Sequence, residues 1–341
     1  MFYFDSDYMV GAHPEVMERL TATNMLHTVG YQRDEFCDEA REKILEACGL
    51  QEGKVLFFVG GTQTNATVID ALLHRHEGVV AAETSHINVH EAGAIEASGH
   101  KVLTLPQHDG KIEATELELM IETFYRDESY SHMVAPGMVY ISFPTELGTL
   151  YSLDELKAIS SVCQKFDIPL YVDGARLAYG LAAHGNDVTL NDLAMLTDYF
   201  YIGGTKCGTL MGEALVSRHV DRVPYLYTLI KQHGALLAKG RLLGVQFNAL
   251  FSEDLYSRIG QHAIAMAMRL KEGMEAKGVE LMIDSPTNQQ FFILPNTTIE
   301  RLREIASFEY WGAPGPVKSV VRFVTDWSTT PEGVDAVINA V

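Results

Sequence analysis

Basic residues are scarce in this 341-residue sequence: 26 Lys and Arg stand against 45 Asp and Glu, a formal net charge of −19. Lys and Arg supply most of the affinity for phosphate backbones and anionic lipid, so nucleic acid and membrane are excluded as expected partners. Cysteine is also sparse. Cys37, Cys48, Cys163 and Cys207 lie far apart without a C-x-x-C, which argues against a disulfide framework or a cysteine zinc site and fits a reducing compartment. No apolar run approaches the ~20 residues that span a bilayer, and the N-terminus MFYFDSDYMV is acidic where a secretion signal is basic. His86 and His90 are four apart, and His74 and His76 two apart, but H-E-x-x-H is missing, so no metal is expected. A cytoplasmic protein of enzyme size is the expectation.

With 47% hydrophobic and 21% charged residues, the chain has an ordinary globular composition. Short apolar runs alternate with amphipathic ones. Lys54–Val59 reads as a buried strand, Gly60-Gly61 as a turn, and Thr62–His76 as a helix with apolar Ala66, Ile69, Leu72 and Leu73 on one face. Strand-like Val79–Ala82, Lys101–Leu105, Met138–Phe143 and Pro169–Val172 alternate with helix-like His90–Ser98, Ala114–Tyr125 and Leu153–Phe166. This is the pattern of a mostly parallel sheet covered on both faces, which Tyr199–Ile202 and Glu213–Val216 could complete. Residues 218–277 read as helical, and strands return at Leu281–Ile283, Gln290–Leu294 and Ser319–Val324. The division expected is an N-terminal arm (1–45), a large domain (46–250) and a small α+β C-terminal domain (251–341).

Three segments carry chemistry. In IGGTKCG, Ile202 to Gly208, glycines let the backbone approach a flat ligand, and a lysine at the end of a buried strand loses solvation and becomes nucleophilic, as Schiff-base chemistry requires. In YVDGARLAYG, Asp173 ends an apolar strand at the carboxyl edge of the sheet, where the pyridinium nitrogen of pyridoxal phosphate would be a fitting cationic partner, with Arg176 in reach of the same cleft. In VGGTQTN, Val59 to Asn65, glycines and hydroxyls precede a helix N-terminus that can hold a phosphate without basic side chains. Each has a bland alternative: a loop lysine, a capping aspartate, a tight turn.

Together they form a phosphate cup, a ring partner and a Schiff-base lysine. On these motifs the chain resembles the fold type I (aspartate-aminotransferase-like) pyridoxal-phosphate enzymes, and within them the low-specificity L-threonine aldolase group of the β-eliminating lyase family. The resemblance extends from FDSD at 4–7 to VRFVTDW at 321–327. It implies a three-layer α/β sandwich with a smaller α+β C-terminal domain, pyridoxal 5′-phosphate as cofactor, and a homodimer or homotetramer with shared active sites. Carried over residue by residue, it implies the Schiff base on Lys206, the ring nitrogen on Asp173, and Arg176 near the phenolic oxygen and substrate carboxylate. The phosphate loop would be Gly61, Thr62 and Gln63, continuing to Thr64 and Asn65; His86 would stack on the ring; Arg322 and Ser6 would hold the substrate carboxylate.

Two segments depart from the family. Where its E-N-T-H-N-G segment carries a histidine near the substrate hydroxyl, this chain reads FPTELG and has Glu146, a carboxylate that could serve as base if burial raises its pKa. Where relatives read Y-G-x-D-P, this chain has Tyr31-Gln32-Arg33-Asp34-Glu35, and the basic residue sent to a neighbour's phosphate site is expected to be Lys239, with Lys231 and Arg241 as competitors. The implied reaction is retro-aldol cleavage of a β-hydroxy-α-amino acid to glycine and an aldehyde. β-Elimination or deamination of another amino acid is an alternative, as is an α/β ligand-binding protein without chemistry.

Overall fold

The computed structural model describes residues 1–219, 223 and 225–341; part of the helical stretch expected over 218–277, residues 220–222 and 224, lies outside the described residues. Seven strands form the central sheet in the order Lys54–Phe58, Glu213–Ser217, Tyr199–Gly203, Leu170–Asp173, Ala135–Ser142, Glu77–Ala82 and Val102–Leu105. Every pairing is parallel except the two made by Glu213–Ser217, which is antiparallel to both of its neighbours. The reason is chain length. Residues 204–212 are too few for the dozen-residue crossover that parallel neighbours need, so the chain must turn straight back, and that tight turn carries Lys206.

Successive strand residues bury on opposite faces, as a two-residue period requires. Phe57, Ile141, Val172 and Ile202 join the core beneath the helices Glu35–Ala47, Leu153–Phe166 and Arg241–Leu250. Their neighbours Phe58, Tyr140, Tyr171 and Tyr201 join the core beneath Gly61–Leu72 and Leu226–Gln232. The result is the three-layer α/β sandwich expected of fold type I.

The 22-residue helix Leu255–Ala276 is about 33 Å long, enough to serve two cores. Its first half, with Leu255, Ile259 and Ala263, packs on the large sheet's helices, and Met266, Leu270 and Met274 pack under the small sheet. That sheet is antiparallel, in the order Glu309–Tyr310, Lys318–Val324, Gln289–Pro295, Glu280–Leu281.

The first residues also join both bodies. Phe2–Tyr3 pairs in parallel with Ala306–Ser307, and Phe4 is buried in the small core. The chain then crosses to the large body, where Val16 of the helix Pro14–Thr23 is buried. Asp7 and Tyr8 lie on this crossing. One expected helix is shortened: of His90–Ser98 only Ala94–Ala97 is helical, and a separate turn of helix, His86–Val89, precedes it, because Ala92 and Gly93 between them take left-handed backbone angles (φ 51° and 73°) that interrupt a right-handed helix.

Candidate active site

The parallel strands end in a cavity of about 210 Å³ that Gly61, Thr62, His86, Glu146, Asp173, Arg176 and Lys206 help to line. It opens to an outer chamber of about 660 Å³, which shares His86, Glu146, Arg176 and Lys206 and adds Gln289, Trp311 and Arg322. Most of the residues singled out from the sequence therefore converge on one cleft between the large and small bodies.

Lys206 sits in the turn after Tyr199–Gly203, where the Tyr179 hydroxyl donates to its carbonyl at 2.5 Å. Burial, reinforced by the positive charge of Arg176, pushes its amine below the usual lysine value, against the pull of Asp7, Asp173 and Glu213. Asp173 is the last residue of its strand and is 4% exposed. Its Oδ1 accepts from Tyr201 Oη at 2.5 Å and the Ala175 N–H at 2.9 Å; its Oδ2 accepts from Tyr140 Oη at 2.6 Å and Asn65 Nδ2 at 3.0 Å. Burial raises a carboxyl pKa, but His86 and these donors outweigh it and hold Asp173 below its usual value, so it stays an anion.

At the helix Gly61–Leu72, the first intrahelical bond runs from Thr64 N–H to Gly60 O. The N–H groups of Gly61, Thr62 and Gln63 precede the ladder and have no capping side chain, the arrangement that takes a phosphate. The Gln63 side chain turns back to accept from Val59 N–H at 3.3 Å and does not line the cavity. Asn65 lies one turn deeper and corrects the reading of the loop: its amide donates to Asp173 and, at 2.7 Å, to Glu91. It belongs to the carboxylate network. His86 Nδ1 is 2.7 Å from Glu91 Oε1, and that buried carboxylate fixes the ring.

Glu146 is partly buried and lines both chambers. Its Oε1 accepts from Ser142 Oγ at 2.6 Å and His86 N–H at 2.9 Å, which leaves Oε2 free of those donors. Burial raises its pKa above the ordinary glutamate value despite both bonds. Arg176 binds Asp7 in a fork, Nε to Oδ2 at 2.7 Å and Nη2 to Oδ1 at 3.1 Å, and Asn288 Nδ2 donates to the same Asp7 at 2.9 Å. Arg322 donates to Gln289 Oε1 at 3.0 Å, pairs with Glu309 and lies over the Trp311 ring; its buried Nε has no hydrogen-bond partner among the described residues.

Four expected residues stand apart. Ser6 is buried but lines neither chamber, and its neighbours Asp7 and Tyr8 reach Arg176 and the cleft instead. Lys239 and Arg241 line a separate groove with Met25, Leu26 and Leu242, and Lys231 lies over the Tyr31 ring. Sequence reading also missed Glu91, Glu213 and the row Tyr140, Tyr171, Tyr201. A carboxylate inside the apolar run GEALV, and tyrosines on the same face of adjacent strands, were the available signals.

A partly buried amine of lowered pKa, an anchored carboxylate and unpaired helix N–H groups fit pyridoxal phosphate: Lys206 can bind its aldehyde, Asp173 its ring nitrogen and residues 61–63 its phosphate. Fold and site thus define a fold type I pyridoxal-phosphate enzyme. A sequence model of the beta-eliminating lyase family matches residues 4–297, and the chain belongs to that family. It is 41% identical to a threonine aldolase from Leishmania major, with a TM-score of 0.96 over 99% of this chain and 98% of that one. A low-specificity L-threonine aldolase of Pseudomonas aeruginosa is 29% identical over 97% of this chain and 94% of its own length. The aspartate aminotransferase of Thermus thermophilus shares the fold, with a TM-score of 0.72 at 14% identity over 100% of this chain and 90% of its own.

Proposed function

We propose that this protein is a pyridoxal-phosphate-dependent aldolase that cleaves β-hydroxy-α-amino acids of the threonine type to glycine and an aldehyde. The observation that carries the reading is a partly buried carboxylate, Glu146, raised above the ordinary glutamate pKa, in the same cleft as Lys206, Asp173 and two arginines. The two relatives named above, both threonine aldolases, support it.

When bound through Lys206, the cofactor supplies an electron sink for the pair left at Cα. The chain's residues do the rest. Arg176 and Arg322 take the substrate carboxylate, Arg322 by giving up its contact with Glu309, and so turn the Cα–Cβ bond to the angle at which it breaks. Glu146 takes the β-hydroxyl proton on Oε2, and its raised pKa makes it a stronger base than an ordinary carboxylate. Asp173, kept anionic by its four donors, would hold the ring nitrogen's proton, and His86, oriented by Glu91, would cover the ring face.

The protein acts as a homo-oligomer in the cytoplasm. Supporting this, all four cysteines are free, and Lys239 lies in a groove beside exposed Met25 (85%) and Leu26 (52%), where a second copy of the chain could receive it at its own phosphate site. Among the described residues no helix is long and apolar enough to cross a membrane. Turnover of a panel of β-hydroxy amino acids tests the reading: glycine with the matching aldehyde supports it, and ammonia with a keto acid as the only products refutes it.

A further inference from the structure

One segment of the small body reaches across the cleft to the loop that carries Glu146. Ser285 and Thr287 precede the strand Gln289–Pro295, Gln289 opens it, and all three are buried. Their side chains are bonded to the backbone of residues 146–148 in the large body. Ser285 Oγ donates to Gly148 O at 3.2 Å and Thr287 Oγ1 donates to the same carbonyl at 2.9 Å, so both of its lone pairs are taken. Gly148 is shaped for this: its backbone is left-handed (φ 75°), and a side chain there would run into both hydroxyls. The turn behind the hydroxyls is fixed by the Gln290 amide, which donates to Ser285 O at 3.1 Å and Thr287 O at 2.7 Å.

Gln289 joins two parts of the site. Its Nε2 donates to Glu146 O at 3.4 Å, and its Oε1 accepts at 3.0 Å from Nη1 of Arg322, on the neighbouring strand Lys318–Val324. A guanidinium only donates and a carbonyl only accepts, so the amide serves both in one orientation, and neither a carboxylate nor a hydrocarbon could do so. Buried polar groups persist where they find partners, and these three find them across the cleft.

We infer that Ser285, Thr287 and Gln289 are positioning residues for Glu146: they form a clasp by which the small body, carrying Arg322, sets the place of the Glu146 loop. The inference rests on the proposed use of Glu146 as the base. The Glu146 carboxyl is held from the large body, by Ser142 and the His86 N–H, while the clasp holds its backbone from the small one. A substrate carboxylate that engages Arg322 acts on the strand beside Gln289, and the clasp passes that to the loop, so the base comes to its working place when the substrate is seated.

The test compares variants of the loaded full-length enzyme in two backgrounds, wild type and Glu146→Gln, by kcat and KM for glycine and acetaldehyde formation from threonine. Gln289→Leu, and separately Ser285→Ala combined with Thr287→Val, should lower kcat about tenfold or more in the wild type. In Glu146→Gln the same changes should lower kcat by less than about twofold, because a clasp that acts through Glu146 has nothing left to position. A second readout needs no turnover: amide exchange over residues 145–149 in cofactor-free protein should be about tenfold faster in both clasp variants. An equal fall in kcat in the two backgrounds, no fall in the wild type, or unchanged exchange overturns the inference. If Gln289→Leu does not fold, the Ser285 and Thr287 pair decides it. Glu146→Gln separates the two claims: if that change alone leaves kcat as it was, the use of Glu146 as the base fails and the clasp has no such role, whereas a fall there with equal clasp effects in both backgrounds sinks the clasp alone.

Discussion

Replacing Asp7 by Asn is expected to destabilise the protein far more than the loss of a surface charge would. Asp7 has no exposed side-chain surface and Arg176 only 13%, so little solvent screens their pairing. The substitution leaves a buried guanidinium without its counter-charge, which costs about 3–5 kcal/mol, a large part of the ~5–15 kcal/mol that separates folded from unfolded domains. Replacing Arg176 by Met as well removes the stranded charge, so the double variant should be more stable than Asp7→Asn alone. The pH dependence has a defined sign. The folded-state pKa of Asp7 lies below its usual 3.8, because Arg176 and Lys206 nearby and the Arg176 and Asn288 hydrogen bonds outweigh burial. Its contribution is therefore fully present above pH 3.8 and is lost as the pH falls through the folded value, where wild type and Asp7→Asn should converge. Urea unfolding of the four proteins at neutral and acid pH measures both effects. A cost below ~1 kcal/mol for Asp7→Asn, or a double variant as unstable as the sum of the single ones, would refute the reasoning.

Other consequences are equally direct. Lys206→Ala should abolish both the visible absorbance of the loaded protein and turnover, as spectra and assays together would report. Glu146→Gln should lower kcat about 10²–10⁴-fold with little change in KM, and should remove an acid limb that the raised pKa of Glu146 puts above the ordinary glutamate range; an unchanged pH–rate profile would exclude it as the base. Arg322→Leu should raise KM about tenfold or more through loss of charge-assisted bonds to the substrate carboxylate, measured as KM against kcat with threonine. Lys239→Ala should weaken retention of the cofactor, read by equilibrium dialysis, and should do so only in an oligomer.

Much of the fold was legible because the apolar runs are short and bounded: KVLFFV before Gly60-Gly61 and IPLYV before Asp173 become strands of the large sheet within a residue or two of the expected limits. The helix expected over His90–Ser98 failed because apolar spacing carries no trace of the left-handed turn at Ala92 and Gly93. The short strands Phe2–Tyr3 and Ala306–Ser307 were invisible, since each exists through a pairing about 300 residues away in sequence.

In the site, local signals survived and long-range ones did not. Lys206 and Asp173 stand at strand ends, positions that a hydrophobic pattern marks directly. Asp7 could not be preferred over Ser6, because its importance lies in Arg176 and Asn288, which only the folded chain brings to it. Asn65 sits inside a phosphate-loop motif yet serves Asp173 because one helical turn moves it from the N-terminus to the sheet edge. Glu213 was passed over as part of a strand, although a charge inside an apolar run is the kind of local conflict that marks a site.

The central claim is that this cleft breaks the Cα–Cβ bond of a β-hydroxy amino acid, and product analysis of the loaded enzyme with threonine tests it most directly. Glycine and acetaldehyde are expected in equal amounts, and neither in Lys206→Ala; ammonia and a keto acid without glycine would contradict the aldolase reading.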